Sequence, residues 1–283
     1  MISVESELIA HGVRPRKKLG QHFLIDRNVM GKLVEVADLG STDTVLEIGP
    51  GTGSLTSIIE KQAGGVIAIE KDPALTNLLR RKFAESKNVQ IIEGDILKTQ
   101  LPKFDKVVSS PPYNISSKLV LLLLKKRFER LVLILQKEFA ERLVAQSGSR
   151  DYGRLTVMVS HKAHTRLIDI VPRHAFHPPP KVDSAIVELT PKEPRIRVFD
   201  EQLFCDLVRE LFTQRRRRLQ KAILRLLRRY GDKSDILLAG LSIPEKRVYQ
   251  TTVEEFETLA NELYEGLKVK RTISEGNLLC TYE

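Results

Sequence analysis

At 283 residues, 42% of them hydrophobic, the chain is long enough for about two domains with real cores, which excludes disorder and collagen-like repetition. Lys and Arg number 46 against 36 Asp and Glu, and the formal charge of +10 points to an acidic polymer or surface as partner. The two cysteines, Cys205 and Cys280, have no C-x-x-C spacing, which excludes a disulfide framework and a metal knuckle and fits a reducing, cytosolic compartment.

From about residue 40 to 190, short β-rich runs alternate with longer amphipathic ones, the pattern of βαβ units around a largely parallel, doubly wound α/β sheet. In chain order, strands are expected over Thr44–Ile48, Val66–Glu70, Val89–Ile92, Lys106–Ser109 and Leu131–Leu135. Helices are expected between them, among them Pro73–Glu85, with Asp72 as N-cap and a proline in the first turn, and Ser116–Arg127. Two more strand-like runs, Leu155–Ser160 and Ser184–Leu189, are separated only by the run His164–Val171 and a Pro-rich loop, which suits an antiparallel edge strand. Beyond Pro191 and Pro194 the pattern changes, and Gln202–Arg229 and Val253–Leu267 read as helices. The expected division is an α/β domain over 1–192 and a smaller helical domain over 193–283, with 269–283 as a mobile tail because no period is visible there. The longest apolar run, Leu119–Leu124, is far short of the roughly 20 residues of a bilayer span. The first basic cluster, Arg14 to Lys18, has no apolar run beside it, so no secretory signal is expected and the chain reads as mature and cytoplasmic.

Chemistry is expected where the strands end. Glu47-Ile48-Gly49-Pro50-Gly51-Thr52-Gly53 falls at the turn from the first strand, where glycines let backbone amides approach a ligand. Its G-x-G-x-G spacing is neither the dinucleotide fingerprint nor a phosphate loop, and a plain strand-to-helix turn is the alternative. Glu70 ends the second strand about 20 residues later, where doubly wound folds place a carboxylate that accepts from both ribose hydroxyls, a diol shared by NAD and S-adenosylmethionine. Asp95, after the third strand, could accept from the exocyclic amine of a cofactor adenine; singly, either acid could be a solvated loop residue. Ser110-Pro111-Pro112-Tyr113 follows the fourth strand, and its paired prolines make a stiff turn. An adenine amine is a poor nucleophile because its lone pair is delocalised. If Ser110 and the Pro111 carbonyl accept its two hydrogens, that pair localises while Tyr113 stacks on the base, an interaction worth about 1 to 3 kcal/mol. That is comparable to the cost of drawing a base from its stack.

These motifs resemble the S-adenosylmethionine-dependent methyltransferases and, within them, the small-subunit ribosomal RNA adenine dimethyltransferases. Lys18-Leu19-Gly20-Gln21-His22-Phe23-Leu24 is similar to that family's G-Q-[NH]-F-L segment, Phe176–Ser184 (FHPPPKVDS) to its loop near the target base, and Phe212–Leu219 (FTQRRRRL) to the start of its helical domain. The resemblance implies a Rossmann-like methyltransferase sheet and cofactor contacts at His22, Leu24, Gly49, Gly51, Glu70, Asp95 and Ser110, with Glu47 lining the same pocket. It implies Ser110, Pro111, Tyr113 and Phe176 as the catalytic set, Tyr113 and Phe176 flanking the base. The implied substrate is a pair of adjacent adenosines in a hairpin loop near the 3′ end of small-subunit rRNA, each dimethylated during ribosome assembly. Ser110 stands where the family usually has Asn, and His22 where many relatives have Asn. A second transfer has to accommodate a bulkier, monomethylated amine beside that serine.

RNA contacts are expected from two basic clusters: Arg14, Arg16, Lys17 and Lys18, and the segment carrying Arg215, Arg216, Arg217, Arg218, Lys221 and Arg225. On one continuous helix Arg218, Lys221, Arg225 and Arg229 form a single stripe while Leu219, Ile223, Leu226 and Leu227 face inward; a solvated helix face is the alternative. His11, His161, His164, His174 and His177 show no metal-ligand spacing and read as surface or loop residues, and neither a metal nor a dedicated base is expected. The expected partner is the small ribosomal subunit or its precursor, bound by a monomer. Three rivals stay open on the sequence: an NAD-dependent oxidoreductase, a non-catalytic assembly factor on the same fold, and a DNA adenine methyltransferase.

Overall fold

A computed structural model describes residues 15–16, 19–193, 195–228 and 234–276. It divides the chain into two units, Met1–Val144 with Ala163–Lys192, and Ala145–Lys162 with Glu193–Glu283.

In the first unit the apolar runs become β1 (Phe23–Leu24), β2 (Thr44–Ile48), β3 (Gly65–Glu70), β4 (Val89–Glu93), β5 (Lys106–Ser109), β6 (Arg130–Gln136), β7 (Ala163–Val171), β8 (Phe176–His177) and β9 (Ser184–Pro191). Seven of these form one sheet in the order β4-β3-β2-β5-β6-β9-β7. Strands β2 to β6 pair in parallel, whereas β9 runs antiparallel to both β6 and the edge strand β7. The inner strands read as continuous apolar runs because both faces are covered: Val45, Leu46, Ala68, Val107, Val108 and Leu131 to Leu135 are fully buried. The helices of this unit are α1 (Arg27–Ala37), α2 (Thr56–Ile59), α3 (Pro73–Lys82), α4 (Ser116–Leu123) and α5 (Lys137–Leu143). Asp26 caps α1 through the amides of Asn28 and Val29, and Asp72 caps α3 through Ala74, as its Asp-Pro start predicts. A separate two-stranded antiparallel sheet, β1 with β8, pairs Phe23 with His177 and Leu24 with Phe176.

The second unit holds α6 (Arg154–Lys162), α7 (Glu201–Phe212), α8 (Leu219–Leu227), α9 (Ser234–Ala239) and α10 (Val253–Gly276). Several expectations are corrected here. Leu155–Ser160, read as a strand, is helix α6, and the boundary at 192 misses that Ala145–Lys162 belongs to the helical unit. Short apolar runs are ambiguous by period, and packing decides: Tyr152 and Val157 are buried in one cluster with Phe204, Leu211, Phe256 and Leu263. Buried inside that unit, His161 lies between Glu257 (2.7 Å) and Glu201 (3.3 Å) with Phe204 under its ring, so it is a core residue and not a loop one. The single helix expected over Gln202–Arg229 is two. Between α7 and α8, Arg215, Arg217 and Leu219 bond through their backbones to Tyr249, Val248 and Lys246, and those bonds are incompatible with continuing the helical ladder. Finally, α10 runs to Gly276, so the helical backbone outlasts the apolar stripe that ends near Leu267; residues 277–283 lie outside the described residues.

Candidate active site

The carboxyl ends of β2, β3 and β5, with the segment after β4, open into one pocket. At the end of β2, Gly49 and Gly51 have φ of +67° and +61°, a region only glycine enters without strain. A Cβ on Gly51 would stand 2.8 Å from the Phe23 ring, and one on Gly49 3.2 Å from Pro112, so the turn is clasped between β1 and the Pro-Pro segment. The Glu70 carboxylate accepts from the amides of Gly51 (3.2 Å), Lys71 (2.8 Å) and Asp72 (2.9 Å), which hold it in place; burial pushes its pKa up against those bonds. Asp95 accepts from Lys71 Nζ (2.9 Å) and the Leu97 amide (3.1 Å), and the lysine holds its carboxyl below the usual range.

Glu47 is 2% exposed and accepts from Thr56 Oγ1 at 2.6 Å. Burial pushes its carboxyl up to about 8; the Thr56 hydroxyl opposes this and the charge of Glu70 adds to it. The free pocket therefore holds a neutral Glu47 at pH 7, and a sulfonium or ammonium group bound beside it would draw that value down and expel the proton. Affinity for S-adenosylhomocysteine is expected to rise as pH approaches 8. Calorimetric binding heat is expected to depend on the buffer's ionisation enthalpy, and Glu47→Gln to remove that dependence; buffer-independent heat in the parent would show that the carboxyl keeps one protonation state through binding.

Ser109, the last residue of β5, donates its hydroxyl to the Ile48 carbonyl at 2.7 Å and so fixes where Ser110 and Pro111 begin. Both line the pocket, and Tyr113 starts a single 3-10 turn, Tyr113–Ile115. Its ring stacks on His22 (centroids 5.8 Å, planes at 23°), and its hydroxyl pairs with Ser184 Oγ at 2.6 Å. Burial pushes the phenol up to about 12, so it stays neutral.

His22, Leu24, Glu47, Gly49, Gly51, Glu70, Asp95 and Ser110 all line this pocket, as do Pro111 and Tyr113. Phe176 is 2% exposed and sits edge-on to Tyr113 at 6.4 Å, so it buttresses the tyrosine ring. Its partner in the β1–β8 pair is Leu24, which draws it inward. His22 has Nδ1 at 2.7 Å from the Pro178 carbonyl, which can only accept, so Nδ1 carries a hydrogen and donates it there. Sequence reasoning missed Thr56, Phe23 and Ser184. No motif spacing marks Thr56, and Phe23 and Ser184 stood inside matched segments without a role.

The basic residues part company. Arg215 is a structural residue: its Nη2 donates to the carbonyls of Ser149, Arg150 and Tyr152, and its guanidinium lies 5.4 Å over the Tyr249 ring. Arg16 is paired with Asp72 at 3.3 Å. Arg216, Arg217 and Arg218 stand in the turn before α8, and Lys221 and Arg225 are carried by that helix. Arg247, which sequence reasoning passed over, is bridged to Arg218 and adds a cation to that turn. Arg14, Lys17, Lys18 and Arg229 lie outside the described residues. Among the described residues, no group of three or more His, Cys, Asp or Glu could hold a metal, and no helix is long and apolar enough to cross a membrane.

The residues present fit S-adenosylmethionine: the strand-end carboxylates would accept from its ribose hydroxyls and adenine amine, the glycine turn lets the chain approach closely, and a buried acid would meet its cationic end. Glycine turn, acids and a Ser-Pro-Pro-Tyr turn at the ends of one parallel sheet define an S-adenosylmethionine-dependent methyltransferase of amino groups. Residues 12–264 match the family model described as ribosomal RNA adenine dimethylase. A probable ribosomal RNA small subunit methyltransferase A of Thermococcus onnurineus is 44% identical, over 93% of this chain and 96% of its own. One of the same description from Methanosarcina mazei is 42% identical, over 87% and 92%. Among solved structures, a dimethyladenosine transferase from Plasmodium falciparum superposes with TM-score 0.75 at 32% identity, over 87% of this chain and 98% of that one. The 23S rRNA methyltransferase ErmE does so with TM-score 0.65 at 30% identity, over 86% and 99%. The chain belongs to the ribosomal RNA adenine dimethylase family.

Proposed function

We propose that this chain dimethylates the exocyclic amines of two adjacent adenosines in a hairpin loop near the 3′ end of small-subunit rRNA, acting in assembly of the small ribosomal subunit. In this reading it works as a monomer in the cytoplasm on the subunit or its precursor. The observation that carries the chemistry is the rigid placement of Ser110, Pro111 and Tyr113 on the wall of the pocket that holds Glu70 and Asp95. S-adenosylmethionine supplies, when bound, a methyl group activated on a sulfonium. The chain's residues supply geometry: the Tyr113 face takes the base, while the Ser110 side chain and Pro111 carbonyl accept the two amine hydrogens and turn the nitrogen lone pair into the pocket. Glu47 and Glu70 keep the surroundings favourable to a cation. The neutral phenol of Tyr113, tied to Ser184, takes no proton, and each newly methylated amine sheds its proton to solvent. Catalysis is positioning, which can supply several kcal/mol of a barrier.

The test is transfer of labelled methyl from S-adenosylmethionine to small subunits lacking the modification, with mass spectrometry of the digested nucleosides. Dimethyladenosine supports the reading. Monomethyladenosine alone would place the limit at Ser110, and tight subunit binding without transfer would turn the proposal into a non-catalytic assembly factor.

For RNA binding, Arg216, Arg217 and Arg218 are the phosphate-binding residues of this reading. Changing all three to Gln is expected to flatten the plot of log affinity against log salt by roughly 0.7 to 0.9 for each phosphate no longer neutralised, in filter binding with an rRNA hairpin. An unchanged slope would make the patch a solvated face. Arg215→Ala is expected to lower the melting temperature instead, because its partners are protein carbonyls.

A further inference from the structure

Leu19 to Leu24 wall the pocket, yet only Phe23 and Leu24 of them belong to a strand. A second tether reaches this segment from α3. Asp72, whose side chain is 0% exposed, divides its two carboxylate oxygens. Oδ1 accepts the Ala74 amide at 3.0 Å, which is all that capping α3 requires. Oδ2 accepts from Gln21 Nε2 at 3.2 Å and from Arg16 Nε at 3.3 Å. Gln21 in turn accepts the Arg16 amide at 2.7 Å, so the three residues close one cluster. The backbone amide of Asp72 donates to Glu70 at 2.9 Å, and the same residue thereby sets the register of the strand-end acid and of the segment across from it.

We propose that Asp72 is a positioning residue for the cofactor: through Oδ2 it holds Gln21 and Arg16, and thereby the Leu19–Leu24 wall of the pocket, and the strength of that latch governs how long the cofactor or its product stays bound. The inference rests on the S-adenosylmethionine reading of the pocket. Two transfers to one amine require two cofactor molecules, so product must leave between them. A latch of one hydrogen bond and one ion pair to an arginine that is 57% exposed is of a strength that opens readily.

Asp72→Asn keeps a competent cap while removing the charge that holds Arg16, and Arg16→Ala removes the same bond from the exposed side. In calorimetry and stopped-flow displacement of S-adenosylhomocysteine from the full chain, Arg16→Ala is expected to raise the dissociation constant about two- to fivefold and Asp72→Asn about five- to tenfold, both through faster dissociation. The double variant is expected to be no weaker than Asp72→Asn alone, because Asp72→Asn already breaks the bond that Arg16→Ala removes. Ligand-free melting temperatures are measured alongside. Unchanged S-adenosylhomocysteine affinity in Arg16→Ala, or effects that add in the double variant, would overturn the latch. If Asp72→Asn unfolds, Arg16→Ala decides by the same criterion. Failure of the parent chain to bind S-adenosylhomocysteine at all would instead overturn the cofactor reading beneath it.

Discussion

Tyr113→Ala is expected to lower methyl transfer by roughly two to three orders of magnitude while shifting the dissociation constant of S-adenosylhomocysteine by no more than about threefold. The tyrosine meets the base with one face, and that stacking contributes about 1 to 3 kcal/mol. The rest of the loss comes from misplacing the amine, since small errors of position cost about a hundredfold. Cofactor affinity is spared because Glu47, Glu70, Asp95 and the glycine turn are held by bonds that do not involve Tyr113. Tyr113→Phe separates the two functions of the side chain. It keeps the ring and removes the 2.6 Å bond to Ser184, leaving a buried hydroxyl without that partner at a cost of about 1 to 3 kcal/mol. Turnover in Tyr113→Phe should therefore fall far less than in the alanine variant. Equal loss of turnover and cofactor binding in Tyr113→Ala would contradict stacking and make the residue part of the cofactor wall.

Gly51→Ala is the second large effect, and it acts on the cofactor. At φ +61° an alanine costs about 1 to 2 kcal/mol, and its Cβ would press on the Phe23 ring at 2.8 Å. Neither strain has an easy outlet. Phe23 is buried and paired in β1, and rotating the turn pulls the Gly51 amide away from Glu70. The expected result is a melting temperature lower by several degrees and S-adenosylhomocysteine binding weaker by about a hundredfold. Differential scanning calorimetry and titration of the same sample check both. Full affinity would show that the turn can move aside, and that its close backbone approach is not what the ligand depends on.

The five parallel strands, and the pocket at the ends of four of them, were legible because each is a short apolar run and the turns that close the pocket are distinctive, and turn chemistry is local. What could not be read depended on partners far along the chain. Leu155–Ser160 carries the β-branched residues of a strand, and only its burial against Phe204 and Phe256 makes it a helix. Arg215 is indistinguishable by sequence from its three neighbours, and three carbonyls at 149 to 152 make it structural. Phe176 was drawn to the correct place, beside Tyr113, but the orientation of a ring is a property of packing. Asp72 was legible only as a cap, since nothing in an Asp-Pro pair announces that the second oxygen reaches Gln21 and Arg16. Family membership removes the oxidoreductase rival on grounds the residues alone did not settle.

The excursion of Ala145–Lys162 out of the sheet-bearing unit has a consequence for how such an enzyme can change over time. Neither unit is a continuous stretch of chain, so the helical part cannot be lost, exchanged or appended by a single crossover near residue 192. Such a break would take α7 to α10 away from α6 and strip Tyr152 and Val157 from the side chains they are buried with. Recombination that preserves both cores has to carry the two segments together, which ties the basic turn before α8 and the methyl-transferring pocket into one heritable block.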